Sequence, residues 1–117
     1  MATIKSFSDL QQSKILAEIL PLESADMSWV SNGLGKPFAR TIPIKEDPEE
    51  LCVCWSLAAL LDVFPEGTDI VKDKADTENE KYMCTVGVKD DIISTFGNNP
   101  IDACYKMILK LHELKML

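Results

Sequence analysis

The sequence predicts a small α+β domain in which one antiparallel sheet is packed on one face by about three helices. Three observations lead there. Apolar residues recur at helical spacing near the start, the middle and the end of the chain. Residues 82–96 alternate in the manner of a β-hairpin. With 117 residues and 46% hydrophobic side chains, the chain can bury one core but not two, so positions 1–117 are read as a single compact domain.

Ser8 is placed to cap the first helix, with Gln11 three residues on as in a capping box. Ile15, Leu16, Ile19 and Leu20 then form one apolar stripe, and Pro21 ends it because proline has no N–H to continue the ladder. Residues 29–30 and 39–44 read as short strands separated by an Asn32–Gly33 turn. Pro43 makes the second of them an edge strand or an extended loop. The acidic KEDPEE that follows suits the positive end of a helix.

That helix is expected from about Leu51, with Val53, Leu57, Leu60, Leu61 and Phe64 on one side and Trp55 and Asp62 on the other. Pro65, Glu66 and Gly67 stop it. Residues 69–74 are a candidate strand, and DKADTENEK is a polar loop. In the hairpin, Tyr82, Cys84, Val86 and Val88 are expected to face the helices, because an antiparallel sheet buries one face. Asn99 can cap the last helix, Pro100 fits its first position and Asp102 its third. Ile101, Cys104, Tyr105, Ile108 and Leu111 form its apolar face.

Charge narrows the function classes. There are 19 acidic residues against 12 basic ones, a formal net charge of -7, so phosphate backbones are repelled and no nucleic-acid partner is expected. The opening MATIKSFSD lacks the apolar core of a signal peptide, and no apolar run reaches the length of a bilayer span. The reading is a cytoplasmic protein away from membranes, its cysteines reduced.

Cys54 carries the sharpest chemical hypothesis. At a helix start its thiol would be acidified by unpaired amides, and His112, the only histidine, would be its base. The run Cys54–Trp55–Ser56 resembles the active-cysteine neighbourhood of papain-like peptidases, which implies Cys54 as nucleophile and Trp55 as its neighbour. The glycine-rich approach of that family is replaced by Leu51–Cys52–Val53. For a metal, Cys52, Cys54, Cys84 and Cys104 are the candidate ligands. Cys52 and Cys54 have one residue between them, where structural zinc pairs leave two to four, and on a helix they would diverge. Small buried hydrophobes is the preferred reading of all four. GLGKP at 33–37 lacks the glycine spacing of a phosphate loop, and no cofactor is implied.

Trp55 and Trp29 are the candidate interface residues, since large aromatics anchor protein contacts. CWSLAALLDVFP followed by NNPIDACYKMILKLHEL resembles small uncharacterised bacterial proteins of phage-like or mobile-element type. That resemblance implies an accessory or interaction protein and no reaction. The expectation is therefore a non-enzymatic interaction module, binding a protein partner or itself through an aromatic patch with an acidic rim. A cysteine-dependent hydrolase using Cys54 and His112 is the alternative.

Overall fold

The computed structural model describes residues 5–31, 36–41, 50–72, 82–88 and 90–117. Helix α1 spans Leu10–Ile19, and a single 3₁₀ turn at Leu22–Ser24 leads to strand β1, Met27–Val30. Strands β2 (Phe38–Thr41) and β3 (Glu50–Cys54) follow, then helix α2, Leu57–Val63. Strands β4 (Asp69–Lys72), β5 (Tyr82–Val88) and β6 (Asp91–Gly97) precede helix α3, Pro100–Glu113. The α+β class, the antiparallel pairing and the three helices agree with the sequence reading. The strands divide between two three-stranded sheets, ordered β2-β1-β3 and β4-β5-β6. Expectations for the Asn32–Gly33 turn, GLGKP from Gly33 to Gly35, Ile42 to Ile44 and the DKADTENEK loop fall outside the described residues.

The principal correction concerns residues 50–56. They do not begin a helix: Glu50–Cys54 pairs with β1, Met27 opposite Cys54 and Trp29 opposite Cys52. Helix α2 starts only at Leu57, where the Ser56 hydroxyl accepts from the Ala59 N–H at 3.2 Å. Trp55, between the end of β3 and the Ser56 cap, lies in the interior and is fully buried, whereas Leu61, expected inside, is exposed. Helix α2 ends at Val63, and Gly67, in the turn beyond, has φ +86°, a conformation that favours glycine.

Helix α1 is capped one residue later than expected. The Asp9 carboxylate accepts from the Gln12 N–H at 2.7 Å, and the Asp9 N–H donates to the Gln12 side chain at 3.1 Å. Ser8 instead lies buried, its hydroxyl 2.7 Å from that of Ser13 and accepting from the Trp55 N–H at 3.1 Å. The segment before α1 thus runs beside β3 and α2, with the Ser8 N–H donating to the Trp55 carbonyl at 2.8 Å.

One apolar core joins these parts. Leu16 and Leu20 of the first helical segment, Trp55, Leu60, Phe64, Cys84 and Val86 meet Ile101, Cys104, Met107, Ile108 and Leu111 of α3. Each such large side chain contributes roughly 1.5–3 kcal/mol on burial. The buried stripe of α3 is wider than expected, taking in Ala103 and Met107, while Tyr105 is only partly covered. Asn99 caps α3 as expected, its side-chain oxygen 2.8 Å from the Asp102 nitrogen.

Helix α3 lies on the inner face of β4-β5-β6. Cys84 and Val86 are buried beneath it, with Tyr82, Val88, Ile70 and Ile93 packed alongside. Gly97 ends β6 against the first turn of α3: a Cβ there would stand 2.5 Å from the Ala103 nitrogen. Only glycine permits this approach.

Candidate functional site

The residues singled out from sequence do not assemble into a reactive centre. Cys54 is buried at the end of β3, its thiol donating to the Ser8 carbonyl at 3.2 Å and lying 3.6 Å from the Ser8 hydroxyl. Burial pushes this thiol's pKa up, against the hydrogen bonds of Ser8 and Ser13, and the Asp26 carboxylate raises it further. In place of the expected acidified thiolate at a helix start, Cys54 ends a strand and burial raises its pKa. His112 lies exposed near the end of α3, its Nδ1 2.9 Å from the Leu117 backbone oxygen. Cys54 and His112 therefore have separate partners and form no nucleophile–base pair.

The cysteines are likewise dispersed in role. None is in a disulfide. Cys52 and Cys54 share one face of β3, by strand alternation, where a helix would have splayed them apart. Cys84 and Cys104 hydrogen-bond to each other within the core, and Cys104 is held firmly in its neutral form by that neighbour and by burial. Among the described residues, no group of three or more His, Cys, Asp or Glu side chains is placed to hold a metal ion.

Both tryptophans are internal struts. Trp55 is 0% exposed and its Nε1 donates to the Ser24 hydroxyl at 3.0 Å. An outward Trp55 patch is ruled out by that burial. Trp29 is partly covered, donates from Nε1 to the Ser8 carbonyl at 3.0 Å, and meets Phe7 edge-on with ring centroids 5.9 Å apart.

A polar cleft of about 320 Å³ lies between the N-terminal segment and the start of α3, lined in part by Lys5, Asp9, Gln12, Asp102 and Tyr105. Its charges satisfy one another. Lys5 donates to Asp9 at 2.9 Å and to Asp102 at 3.0 Å, and Gln12 donates to the same Asp102 oxygen at 2.9 Å. Burial alone would raise the Asp102 pKa, but the Gln12, Lys5 and Asn99 hydrogen bonds and the Lys5 charge outweigh it and hold it below the ordinary value. This arrangement clasps α1 to α3.

The outer face of β4-β5-β6 carries apolar side chains exposed to solvent. Cross-strand register puts Val71, Met83 and Phe96 in one row. Asp69, Thr85 and Ser94 form the next, and Gly87 and Ile92 the last. Val71 is 46% exposed, Phe96 39% and Ile92 73%. Thr85 and Ser94 hydroxyls lie 3.3 Å apart and serve each other. A sheet face turned to water is ordinarily polar. Isolated exposed apolar residues are common, but Val71, Met83 and Phe96 lie side by side across three strands, and a grouped apolar row of this kind is a mark of contact surfaces.

No protein-family model, curated protein or solved structure matches this chain. Among the described residues, no helix is long and apolar enough to cross a membrane.

Proposed function

We propose that this is a non-enzymatic protein-interaction module that binds through the outer face of β4-β5-β6, serving an accessory role in the cytoplasm. The observation that carries this reading is the cross-strand row Val71–Met83–Phe96, partly open to solvent, while the opposite face buries Cys84 and Val86 beneath α3. Phe96 supplies an aromatic anchor, and Val71, Met83 and Ile92 supply the surrounding apolar area. The sequence expectation of an aromatic patch with an acidic rim is kept, and its place moves from Trp55 to Phe96.

The reading is tested by retention of a partner from host-cell extract on the tagged chain. Wild type is expected to retain a protein in near-stoichiometric amount. A variant carrying Val71→Ser, Ile92→Ser and Phe96→Ser is expected to lose it with an unchanged far-UV spectrum. Equal retention by the two would refute the assignment of this face. The cysteine-hydrolase alternative gains no support from a buried, neutral Cys54 whose hydrogen bonds go to Ser8.

A further inference from the structure

We infer that the occupant of this face is an extended, basic segment of a partner protein whose bound side, made of every second residue, alternates apolar and cationic side chains; the inference rests on the docking reading above. Strand polarity locates the charge. Asp69 pairs with Thr85 and Lys72 with Tyr82, so the turn before β4 lies at the same end of the sheet as the β5–β6 connection. That end carries Glu66, Asp69, Asp90 and Asp91, all exposed, and none of these carboxylates is in an ion pair among the described residues.

The face is therefore divided. One end is the apolar row of Val71, Met83 and Phe96; the other holds Ile92 and borders the acidic end of the sheet, where Asp69 belongs to the outer rows and Asp91, paired with Val88, falls on the α3 side. Asp69 stands one pleat from the apolar row, about 7 Å away at the strand rise of about 3.4 Å per residue. A bound strand presents same-face side chains at that spacing, so one apolar residue on the row sets the next same-side residue, a lysine or arginine, over Asp69. Gly87 is exposed with no atom within 4 Å of a Cβ position, which leaves a notch beside Ile92 for a side chain of the ligand.

The field of the whole chain, formally -7, steers a cationic segment toward this face and opposes acidic ones. A second copy of the chain is a poorer occupant, since the three outer rows contain no cation to meet its acids. Apolar contact alone does not distinguish partners here; the charge does.

The test is fluorescence anisotropy of the full chain with three labelled peptides that carry serine at every second position and, at the positions between, valine alternating with lysine, valine with glutamate, or serine with lysine. Only the valine–lysine peptide is expected to bind, and more weakly as salt is raised. Combined Glu66→Gln, Asp69→Asn, Asp90→Asn and Asp91→Asn is expected to weaken it about tenfold or more. The pair Ile92→Ser and Phe96→Ser is expected to do the same by removing the apolar seat. A control of equal charge change, Glu18→Gln, Glu23→Gln, Asp62→Asn and Glu113→Gln, is expected to stay within about twofold. Equal binding of valine–glutamate or serine–lysine, equal weakening by the control, or no binding by any peptide overturns the basic-segment inference. In each of those cases retention of a partner by wild type, lost in the triple-serine variant, would still uphold the docking face; absence of retention would remove both.

Discussion

Gly97→Ala is expected to destabilise the protein by about 3 kcal/mol. The added Cβ would stand 2.5 Å from the Ala103 nitrogen and 2.9 Å from both the carbonyl carbon and the Cβ of Asp102. Ordinary contact begins at 3.4 Å, so the first turn of α3 would have to withdraw by about 0.9 Å. Two of the three clashing atoms are backbone, and no side-chain rotation relieves them. The same turn is held by the Thr95 hydroxyl donating to the Ala103 carbonyl at 2.7 Å and by the Lys5 and Gln12 bonds to Asp102. Withdrawal stretches these, at about 1 kcal/mol for each bond lost, on top of an overpacking cost of about 1–3 kcal/mol. In a domain of this size that lowers the melting temperature by roughly 10–15 °C. Urea denaturation followed by far-UV circular dichroism measures it. Gly87→Ala, where a Cβ meets open space, provides the contrast and is expected to stay within about 0.5 kcal/mol of wild type. A Gly97→Ala midpoint equal to wild type would refute the close approach of β6 and α3.

Trp55→Ala should cost about 3–5 kcal/mol in the same denaturation assay, because the ring is fully buried. Phe96→Ser should cost about 1–2 kcal/mol, well below Trp55→Ala, in keeping with its partial exposure. The depressed Asp102 pKa stabilises the fold above the ordinary carboxyl value of about 3.9, and that stabilisation drains as pH falls through the lower folded-state value. Asp102→Asn is accordingly expected to cost about 1 kcal/mol at neutral pH, discounted for partial exposure, with the gap to wild type closing in acid titrations below pH about 4. Lys115 has φ 61° just past α3, with the Met116 N–H donating to the Leu111 carbonyl at 2.8 Å and the Lys115 N–H to the His112 carbonyl at 3.0 Å. Lys115→Gly is expected to raise stability by about 0.5–1 kcal/mol in thermal melts, since glycine takes this left-handed position without a Cβ penalty.

The elements with strong local chemistry were legible in the chain. Asn99 and Pro100 start α3 as their capping and φ preferences dictate, and Tyr82, Cys84, Val86 and Val88 turn inward from a hairpin with the expected alternation. LCVCW was misread because a short apolar run suits a buried strand and a helix equally. Its neighbour Ser56 held the deciding signal, a good cap placed just before Leu57 and followed by only seven helical residues. Pairing with β1, a tertiary event, selects the strand, and Trp55 beyond its end is held inside by bonds to Ser8 and Ser24. The one-residue shift of the α1 cap has a similar origin: interior partners at Ser13 and Trp55 claim the Ser8 hydroxyl, and Asp9 is left to cap.

The candidate site was harder to read. Val71, Met83 and Phe96 are distant in sequence and become neighbours only through the register of three strands. The available signal was Phe96 itself, which by alternation falls on the face opposite Cys84 and Val86. The sequence pointed toward cysteine and tryptophan as chemically distinctive residues, yet burial makes these core components, and ordinary aliphatic residues form the surface.

Photo-crosslinking from position 92 tests the docking face most directly. With a benzophenone amino acid replacing Ile92, illumination in host cells is expected to yield one discrete adduct larger than the chain and different in mass from its dimer. That adduct should vanish when Phe96→Ser is added, and a benzophenone at exposed position 113 on α3 should not give it. An adduct formed equally from positions 92 and 113, or none from 92 at all, would contradict the claim that this sheet face is where the protein meets its partner.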